Sequence, residues 1–374
     1  MDMAKKKEPY YSLENILKRN AHYNIIFGER SNGKGYSVMK KGLIEYFKTG
    51  HQLAIIRRWA EDFKGANSAK TCYDTLMCNG EGLNDIAIIS EGKYVGVEYY
   101  AGDYYLCELA EDGQTMKRTD RIIARAFALT QEQHYKSGSW PLITSVLLDE
   151  FITRDGYLPN EFIKFTSVLS SIIRGRNNVT IYMCGNTVNK YGCPYFTEMG
   201  IYNLSHMHKG DIDVYTYGES GLTVAVEYAD SPSKTGKKSD IYFAFNNPKL
   251  KMITEGAWEL EIYPHLDIKY LPKHIALIYF IIYSGHTLQC EIVYMDGMAF
   301  TYIHRKTSPL KDADHDIIYQ IDPDPRINYR PRLQHPITKL DKKISSFFAD
   351  KKVFYQDNEI GEIVRAFLEE GDRQ

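Results

Sequence analysis

The first two hundred residues alternate between short apolar runs and longer amphipathic stretches. An apolar run at 23–27 precedes a glycine-bearing loop, a helical pattern covers residues 36–46, and an apolar run returns at 51–58. A strand, a helix and a second strand in this order predict a parallel β-sheet. Further strands are predicted at 145–148 and 179–184, with a helix at 160–173 between them.

Residues 85–121 break this pattern with short, tyrosine-rich alternating segments. Glu91-Gly92, Ala101-Gly102 and Asp112-Gly113 interrupt them. Turn residues at this spacing predict antiparallel hairpins, which we interpret as an insertion into an α/β domain that covers residues 1–205.

The remaining chain reads as a connecting region and a second, smaller domain. Residues 206–258 contain few signals and include a polar run at 230–239, which predicts a lid or linker region. An α+β domain is predicted at 259–374. Its predicted elements are three meander strands at 274–283, 287–294 and 298–304 and a helix at 359–369.

Composition narrows the class of protein. A chain of 374 residues with 44% apolar and 25% charged residues is expected to form two soluble globular domains. Six cysteines lack zinc-site spacing, and we expect a reducing compartment, no signal sequence and no membrane span. A net charge of −2 argues against a protein that coats nucleic acid, so any such contact must be local.

The loop between the first strand and the first long helix fits the pattern G-x-x-x-x-G-K. Its glycines let backbone N–H groups surround a phosphate, the helix N-terminus favours negative charge, and the lysine reaches the β and γ oxygens. A plain glycine turn with a surface lysine is the alternative for the loop taken alone. The nucleotide-binding residues predicted here are Gly28, Glu29, Arg30, Ser31, Asn32, Gly33, Lys34, Gly35 and Tyr36.

Gly35 departs from this pattern, because a phosphate loop normally continues with a Ser or Thr whose hydroxyl binds Mg²⁺. Ser31 or Ser37 can supply an oxygen instead, or water and Asp149 can suffice. The sequence leaves these alternatives open.

A second motif supports the first. The apolar strand at 145–148 ends in Asp149 and Glu150. Asp149 is predicted to hold the Mg²⁺ hydration shell and Glu150 to orient and polarise the attacking water. The intervening strand at 52–58 suits the glutamate-bearing branch of ATPases. A helix cap or turn is the ordinary alternative for such an acidic pair.

Further polar residues follow the predicted strands and the helix at 160–173. Asn186 is a candidate sensor of the γ-phosphate or, alternatively, a turn asparagine. Arg174 and Arg176 are candidate arginine fingers for a neighbouring subunit's nucleotide or, alternatively, solvated surface residues. Residues 57–59 (Arg-Arg-Trp) either contact nucleotide or close their strand.

Several stretches in this order resemble one family. They are GERSNGKGYS, QLAIIRRW, YKSGSWPLITSVLLDEF, LPNEF and IIRGRNNVTIYMCGNT. The family is the DNA-packaging ATPase (encapsidation protein, terminase large subunit relative) of small short-tailed phages with terminal-protein-capped genomes. The resemblance covers about residues 12–205 and rests on layout beyond residue 206.

The resemblance implies a RecA-like P-loop ATPase domain (additional strand, catalytic glutamate) that uses ATP and Mg²⁺. It assigns the phosphate lysine, metal aspartate, catalytic glutamate and arginine finger to Lys34, Asp149, Glu150 and Arg174, and places Lys136 near a subunit interface. It also implies a homo-oligomeric ring, expected to be a pentamer, at the prohead portal vertex in the host cytoplasm. The implied partners are double-stranded DNA, the portal and a structural packaging RNA.

For the second domain, the resemblance implies an RNase H-like vestigial nuclease. Such nucleases need clustered carboxylates on their first strands, and residues 275–283 contain none. A basic segment that either contacts nucleic acid or is a solvated proline-rich loop follows. Its residues are Arg326, Tyr329, Arg330, Arg332, His335, Lys339, Lys342 and Lys343.

The predicted function is therefore an ATP-driven motor that translocates double-stranded DNA into a prohead. A helicase or recombinase-type ATPase is one alternative, although no helicase motif set follows Asn186. A non-hydrolysing nucleotide-binding scaffold, which Gly35 makes conceivable, is the other.

Overall fold

The computed structural model describes residues 10–30, 32–65, 69–153, 156–186, 193–218, 220–230, 263–331 and 333–373. These residues form two compact units. The first holds residues 10–186 and 203–230, and the second holds residues 193–202 and 263–373.

The first unit is built on a nine-stranded sheet of order β3-β4-β5-β2-β6-β7-β1-β9-β8. Neighbours from β5 to β9 in this order are parallel, and β3, β4 and β8 add antiparallel edges. The strands are β1 (Tyr23–Gly28), β2 (Gln52–Arg57), β3 (Gly96–Tyr100), β4 (Asp103–Leu109), β5 (Met116–Ala128), β6 (Ile143–Asp149), β7 (Thr180–Asn186), β8 (Ile212–Tyr217) and β9 (Leu222–Ala229).

The helices of this unit flank the sheet. They are α1 (Glu14–Leu17), α2 (Lys34–Thr49), α3 (Asp74–Met77), α4 (Asp85–Ile89) and α5 (Glu161–Ile173), with short 3-10 turns at Ala60–Phe63, Leu129–Tyr135 and Asn203–His206. Every residue of β2 is buried, as expected for a parallel strand covered on both faces. On α2, Val38, Met39 and Leu43 form the apolar stripe that packs into the same core as Leu53.

The predicted antiparallel hairpins are confirmed, because β3 pairs with β4 and β4 with β5. The stretch is less separate than an insertion suggests, since β5 continues to Ala128 and pairs in parallel with β2. It also begins with a helix, α4, whose Asn84 cap accepts the Ala87 N–H at 3.0 Å.

Two expectations about layout are wrong. Residues 212–229 are not a lid or linker but form β8 and β9, and β9 pairs in parallel with β1. The short apolar stretch of β9 is a weak strand signal in the sequence, but its central residues are buried beside β1. Residues 231–258 of the predicted linker lie outside the described residues. The strand between β1 and β6 is β7 rather than β2, because strands that are consecutive in sequence need not be neighbours in a sheet.

The second unit has a six-stranded sheet of order β14-β13-β10-β11-β12-β15. The predicted meander of β10, β11 and β12 is confirmed. The elements are β10 (Ile275–Tyr283), β11 (His286–Met295), β12 (Met298–Arg305), β13 (Ile318–Gln320), β14 (Tyr329–Arg330), β15 (Val353–Tyr355), α6 (Pro194–Glu198), α7 (Lys339–Ala349), α8 (Asn358–Arg373) and a 3-10 turn at Pro272–His274.

Helices α7 and α8 pack against one face of this sheet through Ile344, Phe347, Ile363 and Phe367. The basic segment is therefore only partly a loop, because Lys339 begins α7 and its other lysines lie on that helix. None of the helices among the described residues combines the length and the apolar character needed to cross a membrane.

Candidate functional site

The loop between β1 and α2 has the backbone that a phosphate-binding loop requires. β1 ends at Gly28 and α2 begins at Lys34, so the first N–H groups of the helix point into the loop. Gly33 has a φ of 88°, and a Cβ there would lie 2.8 Å from the Tyr10 ring. The second glycine of the motif is thus required by both backbone and packing.

Lys34 is buried inside this loop, with 5% of its surface exposed. Its Nζ donates to the carbonyls of Gly28 at 3.3 Å and Glu29 at 2.7 Å, and to the side-chain oxygens of Asn32 at 3.0 Å and Asn186 at 3.3 Å. Burial lowers the pKa of Lys34 to about 8. The predicted sensor Asn186 therefore lies at hydrogen-bond distance from the phosphate lysine.

Arg57, at the end of β2, bridges the acidic pair that ends β6. One guanidinium nitrogen lies 2.8 Å from Asp149 Oδ2 and another 2.6 Å from Glu150 Oε2. Burial alone would lower the pKa of Arg57, but the two carboxylates outweigh it and the pKa is raised. Glu150 has a φ of 57°, a conformation unusual outside glycine, which turns the chain sharply after the strand.

The loop and the acidic pair face one cavity of about 400 Å³ at the carboxyl ends of β1, β6 and β7. A Cβ on Gly35 would lie 3.6 Å from Asp149 Oδ1, which shows how closely the two motifs approach. The lining residues are Tyr10, Arg30, Asn32, Gly33, Lys34, Gly35, Tyr36, Met39, Cys72, Thr75, Asp149, Glu150, Cys184, Gly185 and Asn186.

These residues fit a nucleoside triphosphate with a divalent metal. Lys34 and the first N–H groups of α2 supply positive charge and donors for phosphates. The buried Nδ2 of Asn32 has no hydrogen-bond partner among the described residues, so a donor is left for a ligand. Asp149 supplies the hard oxygen that Mg²⁺ prefers.

The other residues predicted to bind nucleotide lie around this cavity. Glu29 pairs with Lys209, while the Tyr36 hydroxyl donates to Asp85 at 2.5 Å and its ring packs 4.6 Å from that of Tyr10. Ser31 lies outside the described residues.

The two residues that follow Arg57 differ in their surroundings. Arg58 closes its strand, because its Nε pairs with the buried Glu161 at 2.7 Å and its NH2 nitrogen donates to the Phe151 carbonyl at 3.0 Å. Trp59 is 45% exposed.

The arginines that follow α5 do not line the cavity. Arg176 donates to five backbone carbonyls at 2.7–3.2 Å, which ties α5 to the start of β6 and the segment before it. These carbonyls belong to Trp140, Pro141, Ile143, Ile172 and Ile173. Arg174 is exposed and donates to the carbonyl of exposed Lys136 at 2.8 Å. The structure thus gives Arg176 a structural role and leaves Arg174 as the better candidate finger.

Six cavity residues were not among the predicted site residues, namely Tyr10, Met39, Cys72, Thr75, Cys184 and Gly185. Tyr10, Cys72 and Thr75 line the cavity from segments that carry no recognisable motif. Tyr10 contacts Gly33 and accepts the Gly80 N–H at 2.5 Å, and neither contact is encoded in local sequence.

A phosphate loop on one strand and an acidic pair on another, separated by a third strand that ends in a polar residue, define a RecA-like P-loop fold. No family model matches the chain. A DNA packaging protein of Bacillus phage B103 is 27% identical over 189 residues, half the length of each chain. A DNA packaging protein of Bacillus phage PZA is 21% identical over 299 residues, 79% of each.

Among solved structures, the bacteriophage Phi-29 viral genome packaging motor assembly shares the fold. Its TM-score is 0.58 at 17% sequence identity, with 97% of this chain and 100% of that chain covered. The resemblance to phage DNA-packaging proteins is therefore confirmed, as is a RecA-like P-loop ATPase fold with a second domain.

Proposed function

We propose that this protein is an ATP-driven motor that translocates double-stranded DNA into a phage prohead. The observation that carries the proposal is the meeting of Lys34, Asp149 and Glu150 at one cavity, on a fold shared with a genome packaging motor. The phosphate lysine and the catalytic carboxylates can then act on one triphosphate.

The contacts of Asp149 and Glu150 with Arg57 suggest an order of steps in ATP hydrolysis. Mg²⁺, when bound, would neutralise charge on the phosphate oxygens. Asp149 would hold its hydration shell, which weakens the pairing of Asp149 with Arg57 because a divalent cation competes for the same carboxylate. Glu150, paired with Arg57 in the free protein, is then available to accept a proton from the attacking water.

Asn186 links this chemistry to movement. Its side-chain oxygen accepts a hydrogen bond from Lys34, and it ends β7 between the two motif strands. When Lys34 turns to phosphate oxygens, Asn186 loses this donor and can contact the γ-phosphate instead. Hydrolysis would reverse this exchange of hydrogen-bond partners. The end of β7 would then differ between the ATP-bound and the hydrolysed states.

The position of Arg174 supports the proposal of a ring. It lies beside Lys136 near the amino end of β7, away from the cavity of its own subunit. As an exposed guanidinium with one backbone bond, it can reach a neighbour's nucleotide and stabilise the transition-state charge. We propose a homo-oligomeric ring of five subunits at the portal vertex of the prohead in the host cytoplasm, with ATP and Mg²⁺ as cofactors.

The second domain is proposed to be an RNase H-like vestigial nuclease that binds but does not cut. Its strand β10 carries no carboxylate, and the carboxylate of Glu291 on β11 accepts hydrogen bonds from Tyr270 and Gln289 at 2.5 and 2.6 Å. Exposed Lys342 and Lys343 on α7 can contact phosphates of DNA or of a packaging RNA without sequence preference.

ATP turnover measured with and without double-stranded DNA tests this function. Glu150→Gln should lose at least about a hundredfold in turnover and keep nucleotide binding, because only the general base is removed. Glu81→Gln, a change at an exposed glutamate, should retain turnover. Unchanged turnover in Glu150→Gln would contradict the proposal. Absence of DNA-stimulated turnover in the wild type would favour a scaffold, and strand separation would favour a helicase.

A further inference from the structure

Gly35 stands where a phosphate loop places its metal-binding hydroxyl, yet the fold does not require glycine there. It lies in the first turn of α2 with helical backbone, whereas Gly33 before it has a left-handed φ. A Cβ at Gly35 would meet only Asp149 among the described residues within 4 Å, at 3.6 Å from Oδ1 and 4.0 Å from Cγ. The missing side chain therefore leaves a small gap beside a carboxylate oxygen.

Among the described residues, the hydroxyls of Ser37 and Thr75 do not fill the gap. The Ser37 hydroxyl donates to the Tyr11 carbonyl. Thr75 lines the cavity, but its hydroxyl donates to the Cys72 carbonyl at 3.0 Å. Each hydroxyl is thus engaged with backbone.

The carboxylate of Asp149 can accept a further hydrogen bond on the side that faces Gly35. Oδ2 pairs with Arg57, while Oδ1 accepts the Glu150 N–H at 3.1 Å and faces Gly35. A carboxylate oxygen has two lone-pair directions, so Oδ1 can accept one more hydrogen bond. A water molecule in the gap would supply it.

We propose that Gly35 replaces the helix hydroxyl with a water held by Asp149, so that the metal has no direct oxygen ligand from α2. This rests on the proposed function, since it concerns the metal that accompanies the triphosphate. Mg²⁺ keeps several waters readily, and such a site remains competent. The consequence is a metal that adds less to nucleotide affinity than a directly ligated one does.

Two substitutions at position 35 separate the effect of an added hydroxyl oxygen from the effect of an added side-chain volume. Gly35→Ser adds a Cβ and a hydroxyl that can reach the metal and Asp149, whereas Gly35→Ala adds the same Cβ without oxygen and displaces the water. The measurement is the affinity for a fluorescent ADP with saturating Mg²⁺ divided by the affinity in EDTA. This ratio measures how much the metal contributes to nucleotide affinity, and it does not depend on ATP turnover.

The ratio should rise about tenfold in Gly35→Ser and fall several-fold in Gly35→Ala, as expected when a metal ligand is gained or its water is lost. With Mn²⁺ in place of Mg²⁺, electron paramagnetic resonance should count one fewer coordinated water in Gly35→Ser than in the wild type. An equal ratio in all three proteins, or equal water counts, would overturn the proposal.

Serine variants test whether a hydroxyl elsewhere in the loop or in α2 binds the metal instead. Ser37→Ala and Ser31→Ala should keep the wild-type ratio, and a tenfold fall in either would overturn the proposal by identifying that serine as the ligand. Failure of the proposed function looks different, because the wild type would then either bind no nucleotide in Mg²⁺ and in EDTA or bind it without DNA-stimulated turnover. Nucleotide binding with a ratio insensitive to Gly35 overturns only the metal inference.

Discussion

The two ends of the parallel strands in the first unit use their arginines and lysines in opposite ways. At the carboxyl ends, Lys34 and Arg57 contact side-chain oxygens of Asn186, Asp149 and Glu150 that a ligand can replace. At the amino ends, the guanidinium of Arg176 is fixed to five backbone carbonyls. The first arrangement can exchange partners, and the second holds the fold together.

Arg174 makes the contrast sharper, because it lies two residues from Arg176 and has the same chemistry. It is exposed and donates to one carbonyl, that of Lys136. A basic residue near a predicted interface is therefore a candidate for catalysis only when its donors are not already used by its own chain. The number of backbone partners distinguishes the two arginines, whereas their sequence positions do not.

The largest effect is expected for Arg174→Ala. If Arg174 stabilises the transition state in a neighbouring subunit, ring-dependent ATP turnover should fall about a thousandfold, while the melting temperature stays near that of the wild type. The measurement is steady-state phosphate release by assembled motors. Turnover within a few-fold of the wild type would remove Arg174 from the catalytic account.

A mixing experiment controls for indirect damage. Rings that combine Arg174→Ala with Glu150→Gln subunits contain some interfaces with an intact arginine and an intact glutamate. Turnover in these mixed rings should exceed that of either variant alone. Mixed rings no more active than the separate variants would contradict action across the interface.

Arg176→Ala should act on stability instead. The change removes five hydrogen bonds, at a cost of about 3 kcal/mol in the free energy of unfolding. The carbonyls of Trp140 and Ile173 keep the backbone N–H groups of Ile143 and Arg176 as partners. Arg176→Lys should recover little, because an ammonium cannot reproduce the planar fork. Chemical denaturation of the three proteins measures this. A fully stable Arg176→Ala with impaired turnover would reverse the roles assigned to the two arginines.

A smaller effect concerns pH at the carboxyl ends. Lys34 has a pKa of about 8 without nucleotide, below its ordinary 10.5, and phosphates should raise it. Binding should therefore take up a proton above pH 8 and almost none at pH 7, so affinity falls by up to about tenfold per pH unit above 8. Calorimetry in buffers of different ionisation enthalpy at pH 7 and pH 9 measures the uptake. Equal uptake at both values would contradict a buried, depressed lysine.

The same lysine affects the stability of the nucleotide-free protein. Between pH 8 and 10.5 the unfolded chain binds the proton more tightly than the folded chain, so the free energy of unfolding should rise with pH across this window. Lys34→Met should lack this rise. Denaturation curves of the wild type and the variant between pH 8 and 10.5 measure the difference in the free energy of unfolding.

Local patterns predicted much of the site. The phosphate loop, the acidic end of β6 and Asn186 were identified from residue type, spacing and predicted strands, and the structure places them at one cavity. This succeeded because the carboxyl ends of parallel strands meet at one edge of a sheet.

Long-range features were not predictable in the same way. β8 and β9 were interpreted as a linker, since pairing of β9 with β1 joins residues about 200 positions apart in sequence. Likewise, the hydrogen bonds of Arg176 depend on carbonyls at the start of β6 and in the segment before it, more than 30 positions away. Sequence shows which residues can do chemistry, and tertiary contacts decide which of them are free to do it.

Lys34 and the Asp149–Glu150 pair are proposed to act on one triphosphate. A structure of Glu150→Gln determined with ATP and Mg²⁺ is the decisive measurement. Lys34 Nζ should leave the carbonyls of Gly28 and Glu29 for phosphate oxygens, with Asp149 at the metal's waters of the same nucleotide. A nucleotide bound elsewhere, with Lys34 still on those carbonyls, would contradict the account.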